Sequence, residues 1–93
     1  MSKNRLKKER REIDKIDQQI FSLIKKRTFI VKKMLKLKKF KHEIVDHKRI
    51  NEILLRLKRK SLKNKIDPRI TKRIWKSIIW AYVDYQKRMF KKR

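Results

Sequence analysis

Four cations and one primary amide have the types and spacing to do chemistry in this chain: Arg10, Arg27, Lys38, Arg49 and Gln86. On an ideal helix of about 100° per residue, Ile13, Ile16, Ile20, Leu23, Ile24, Ile30, Val31 and Met34 fall within roughly 60° of Arg27. Lys38 lands about 20° from Arg27 on the same projection, so both cations sit inside one apolar stripe. The surplus lysines Lys25, Lys32, Lys33 and Lys36 point the other way. Cations on a core-facing stripe are costly unless an anion meets them. Gln86 lies in the middle of a second stripe, made by Trp75, Ile79, Tyr82, Val83 and Phe90, where its amide can both donate and accept. Arg49 and Asp46, three apart, lie at the edge of a third apolar face. Arg10 precedes Arg27 by about 25 Å of helix axis, too far for one small ligand to touch both within one chain. In an antiparallel or intertwined dimer, Arg10 of the partner subunit could join Arg27, Lys38, Arg49 and Gln86. That set suits a small substrate with two carboxylates, which guanidinium forks bind bidentately.

Three helices must position these groups, and the expected fold class is all-α. The first reads from about Leu6 to Lys39, a length of roughly 50 Å that a 93-residue monomer could not cover. It therefore asks for a partner chain. A linker, Phe40 to Val45, carries neither Gly nor Pro. Asp46 can cap a second helix from about Lys48 to Lys60, with Ile50, Ile53, Leu54 and Leu57 facing inward. Lys58, Arg59 and Lys60 then cluster at its C-terminal end, where the helix dipole favours cations. Lys63, Asn64 and Lys65 read as a connection. Asp67-Pro68 is a start signal for the third helix, which continues to about Phe90. There is no strand alternation, internal repeat or low-complexity block, and the 93 residues suit one domain.

Composition narrows the function classes. Net charge is +24 and 45% of residues are charged. Such a balance raises disorder and nucleic-acid binding as readings. The regular apolar periodicity argues against disorder, and the preference for Lys, Ile, Asn and Phe over Gly and Ala resembles a proteome-wide bias. Long-range attraction for small anions follows either way. Without cysteine there are no disulfides or thiolate metal sites. Met1-Ser2-Lys3-Asn4-Arg5 is not the start of a signal peptide, no apolar run reaches membrane-spanning length, and a cytoplasmic location is expected.

The pattern Arg10-x6-Asp17-x9-Arg27-x10-Lys38, then Asp46-x2-Arg49, then Ile78-Ile79 with Gln86, resembles the all-helical chorismate mutase family. The stretch EIDKIDQQIFSLIKKR, Glu12 to Arg27, is similar to that family's first-helix signature, and the resemblance covers roughly Lys8 to Lys87. It implies an intertwined homodimer of three-helix chains with two equivalent active sites. It further implies that Arg27, Arg49 and Arg10 of the partner subunit grip the two carboxylates of chorismate. Lys38 and Gln86 would donate hydrogen bonds to the ether oxygen of the breaking C–O bond. The catalytic candidates are therefore Arg27, Lys38 and Gln86; those for substrate binding are Arg10, Arg49, Asp46, Ile50 and Tyr82. The implied reaction is the pericyclic rearrangement of chorismate to prephenate, which requires no cofactor or metal.

Two positions depart from the mutase pattern. Ile50 stands where the family commonly has a Glu that reads the ring hydroxyl, and Tyr82 where a small Ser often precedes the Gln by four. Both resemble the family's isochorismate–pyruvate lyase branch, which forms salicylate. The linker is also about one residue shorter than the family's. A reading of another class is a non-enzymatic basic helical dimer that binds nucleic acid, but only charge supports it, with no recognition motif. Nucleic acid and membrane are thus not the expected partners. Taken singly, Arg27 and Lys38 could snorkel from a coiled-coil rim, Gln86 could be a satisfied core amide, and Tyr82 could simply pack. Trp75 and Trp80 read as core or interface. His42 and His47 have no third ligand at metal spacing.

Overall fold

The computed structural model describes residues 2–91. Helix α1 spans Ser2–Leu37, a 3₁₀ turn Lys41–Ile44, α2 His47–Lys63 and α3 Pro68–Met89. No strand occurs among the described residues, so the all-α class holds. No described helix is long and apolar enough to cross a membrane. The chain divides into two compact units, one up to Lys33 and one from Met34 onward.

The first unit is helix throughout its described residues, starting four residues earlier than the periodicity suggested. Much of its apolar stripe is open to solvent: Ile13, Ile16, Ile20, Leu23 and Ile30 are between 49 and 61% exposed, whereas Ile24 is half-buried and Val31 is 8% exposed. Helices in proteins owe most of their stability to packing of such a face, and α1 leaves most of its N-terminal stripe unfilled. Off the stripe, Phe21 and Phe29 are also exposed, and the Lys33 ammonium sits 4.6 Å from the Phe29 ring centroid. A loose Lys15–Glu12 pair at 3.7 Å is solvent-exposed and adds little.

In the second unit, α2 and α3 pack on each other around Ile44, Ile79 and Val83. Leu35, Val45, Ile50, Ile53, Leu54 and Phe90 close over that centre. The linker is not featureless: it forms the 3₁₀ turn, whose last residue, Ile44, is 5% exposed. A 3₁₀ turn here lets a short connection deliver one apolar side chain to the helix pair without Gly or Pro.

Both predicted caps form. The Asp46 carboxylate accepts from the Arg49 backbone N–H at 3.0 Å, and that of Asp67 from Arg69 at 2.9 Å, with Pro68 opening α3. Helix α2 runs three residues past the predicted end and closes in a Schellman arrangement. There the Ile66 N–H donates to the Ser61 carbonyl (2.9 Å) and that of Lys65 to the Leu62 carbonyl (3.3 Å). Lys65 takes the left-handed conformation, φ 57°, that glycine usually supplies. Beneath this turn, the buried Ser61 hydroxyl donates to the Leu57 carbonyl at 2.6 Å and pairs with the Thr71 hydroxyl at 2.7 Å, tying α2 to α3.

Candidate active site

Lys38 follows the last residue of α1, and its backbone N–H still bonds to the Leu35 carbonyl at 3.2 Å. Its half-buried side chain crosses to α3, where Nζ donates to Gln86 Oε1 at 2.7 Å. Lys38 therefore does not snorkel. Gln86 is 7% exposed, and its Nε2 donates to the Tyr82 carbonyl one turn back at 3.2 Å. An ammonium has only donors, so the contact at 2.7 Å turns the carbonyl side of the amide toward Lys38. Each contact takes one N–H, out of three on the ammonium and two on the amide. The pair can thus present further donors, one of them cationic, to an oxygen arriving between them.

The charge on Lys38 is balanced from two sides. Burial pushes its ammonium below the usual lysine range, while the nearby Glu43 and Asp46 carboxylates pull it back up. Neither acid is free to neutralise it fully. Glu43 Oε2 accepts from the Lys39 backbone N–H at 3.1 Å, and Asp46 is engaged in capping α2. The first-turn geometry of α2 and the 3₁₀ turn therefore hold two carboxylates near an ammonium without a direct ion pair. Glu43 was not among the sequence candidates; its only signal is that it is the first acidic residue after Asp17.

Among the other candidates, Ile50 is half-buried against the Ile44–Ile79–Val83 centre, and Tyr82 is half-buried on α3. Arg49 is exposed at the first turn of α2. The structure thus gathers Lys38, Asp46, Ile50, Tyr82 and Gln86 in the second unit. Arg10 and Arg27 lie on the α1 segment of the first, Arg10 exposed and Arg27 half-buried.

An all-α chain thus brings a half-buried lysine and a buried glutamine into contact between the end of α1 and α3. The chain belongs to the chorismate mutase type II family, whose model matches residues 9–87. Every candidate site residue lies inside that span. No curated protein and no solved structure matches the chain.

Proposed function

We propose that this protein is a chorismate mutase, converting chorismate to prephenate. The observation that carries the reading is the part-buried Lys38–Gln86 contact, lying within the span matched by the family. In the rearrangement the C–O bond to the enolpyruvyl group breaks as a C–C bond forms, and negative charge builds on the ether oxygen. Donors already fixed around that oxygen lower the barrier without reorganising at the moment of reaction. Lys38 and Gln86 play that part. Arg27, Arg49 and Arg10 of the partner subunit take the two carboxylates and hold the conformer in which the reacting carbons approach.

The homodimer in this reading is supported by the exposed part of the α1 stripe, Ile13, Ile16, Ile20, Leu23 and Ile30, which a second copy would cover. A net charge of +24 assists the encounter with a dianionic substrate.

A second reading, isochorismate–pyruvate lyase, is favoured by one observation. Ile50 packs against the apolar centre, so the first turn of α2 offers an aliphatic surface where the mutase pattern has a carboxylate. Purified protein incubated separately with chorismate and isochorismate, with prephenate, salicylate and pyruvate quantified, separates the two. Prephenate from chorismate is the expected result. Efficient release of salicylate and pyruvate from isochorismate assigns the lyase, and no product from a folded dimer overturns both.

A further inference from the structure

A second concavity lies at the other end of the α2–α3 pair. It has a volume of about 570 Å³, within the roughly 300–1,000 Å³ typical of small-molecule sites. Its floor is formed by Leu54, Leu55 and Pro68. Its rim carries Lys58 from α2 and Arg69, Lys72 and Lys76 from α3, and no acidic residue lines it. Along α3, Gln86 is about 15 Å beyond Lys76, so this groove is separate from the Lys38–Gln86 pair.

The rim charges are poorly compensated. Arg69 is held by Asp67, whose carboxylate it grips at 2.8–3.1 Å. Lys72 and Lys76 are one turn apart on the same helix, an arrangement that like charges disfavour, and Lys58 adds a third ammonium from the facing helix. An anion seated between them would relieve that repulsion. Besides the cations, Asn51 and Thr71 are the polar residues of the lining, and the Thr71 hydroxyl is occupied within the turn, lying 2.7 Å from the Ser61 hydroxyl and 3.2 Å from the Pro68 carbonyl. An apolar floor under a cationic rim suits an occupant that is apolar below and anionic above.

We propose that this groove is a binding site for a carboxylate carried on an apolar ring, with Lys58, Lys72 and Lys76 meeting the carboxylate and Leu54, Leu55 and Pro68 the ring. The inference does not depend on the catalytic reading, because its test reads binding alone.

The test is a titration of the ¹⁵N-labelled full chain, followed by amide chemical shifts, with sodium benzoate and separately with sodium acetate. Ionic strength is held near 0.1 M to screen diffuse attraction. Saturable benzoate shifts clustered at residues 54–58 and 68–76 are expected, with affinity ~10-fold or more above that of acetate because only benzoate covers the apolar floor. The exposed double substitution Lys72→Gln with Lys76→Gln should weaken benzoate at least ~10-fold while the helical circular dichroism is kept. Lys38→Ala should leave the shifts in place. Equal, scattered responses to both anions would mean counter-ion association only and overturn the site. So would shifts confined to residues 38–49 and 79–86, or benzoate binding undiminished in the Lys72/Lys76 variant.

Discussion

Lys38 Nζ stands 2.7 Å from Gln86 Oε1 across 48 residues of sequence, and this contact decides which end of the amide faces the ammonium. With Oε1 held by Lys38 and Nε2 anchored on the Tyr82 carbonyl, the amide cannot turn over without losing both bonds. The Gln86 amide is therefore oriented, its oxygen toward the cation and one N–H toward the Tyr82 carbonyl.

Replacing that amide by a carboxyl tests the orientation. In Gln86→Glu the ionised carboxylate pairs with Lys38 and offers no N–H or O–H to the ether oxygen. Prephenate formation at neutral pH should fall by about 10²–10³, the usual loss for one such donor. The carboxyl donates only when protonated, so activity should recover as pH falls through its pKa and vanish above it. A rate that is flat between pH 5 and 8 would show that Gln86 does not donate to the reacting oxygen.

Lys38 titrates below the ordinary lysine range, burial outweighing Glu43 and Asp46. In the proposed mechanism the ammonium is the active form, so turnover should decline on the alkaline side earlier than an unperturbed lysine would allow. Folding stability carries the opposite sign: a depressed lysine pKa penalises the charged folded form, so this residue's penalty lifts as pH rises through the lowered pKa. Comparing wild type with Lys38→Met in urea melts across pH 8–10.5 should isolate that rise. Asp46→Asn keeps an oxygen to cap α2 but removes the charge, so it should move the alkaline limb further down with little loss of stability. Asp46→Ala should do the same and also cost about 1 kcal/mol of helix capping. Identical pH profiles in all three proteins would remove Asp46 from the electrostatics of Lys38.

Arg10 is proposed to serve the neighbouring subunit's site. Arg10→Ala and Gln86→Ala proteins, each inactive alone, should regain about a quarter of wild-type activity when unfolded and refolded together in equal amounts. Half of the randomly formed dimers are mixed, and one of their two sites is intact. No recovery, with mixed dimers demonstrated by mass, would place Arg10 in its own chain's site or outside the chemistry.

Ile50 faces the apolar centre from the first turn of α2. If the missing carboxylate limits recognition of the chorismate hydroxyl, Ile50→Glu should raise the ratio of mutase to lyase turnover by ~10-fold, the scale of one well-placed hydrogen bond. An unchanged product ratio would make Ile50 a packing residue alone. A half-buried glutamate also loses apolar packing, so a lower melting temperature should accompany the change.

Lys65 carries a positive φ of 57° at the end of α2. Glycine accepts that conformation without the clash between Cβ and the backbone, so Lys65→Gly should stabilise the fold by about 0.5–1 kcal/mol in urea unfolding. Turnover should not change, since Lys65 is remote from the donors. Destabilisation instead would mean that the lysine side chain contributes to the turn.

Much of this protein was legible residue by residue. The helical periodicity of isoleucines and leucines announced the helices, Asp46 and Asp67-Pro68 marked two of their starts, and Gln86 stood out as an amide inside an apolar stripe. Those features are local: they depend on backbone hydrogen bonds and side-chain periodicity within a few turns. The ends were less legible for the same reason. Lys38 was read as part of the first helix, yet the helix stops at Leu37; the second helix continues to Lys63 because Lys65 adopts a conformation that no glycine advertised. The linker gave no sign of its 3₁₀ turn or of Ile44 as a buried residue.

The chain's order of residues thus determined three helices, their apolar faces and the chemical types available at each site position. Tertiary structure alone decided that the Lys38 ammonium meets the Gln86 carbonyl, that Glu43 and Asp46 flank it, and that four cations gather on the groove at the far end of α2 and α3. The Lys38–Gln86 contact joins residues 48 positions apart, and the groove joins residues of two different helices. They exist only once Ile44, Ile79 and Val83 have packed, because no local rule of backbone geometry sets the distance between two helices.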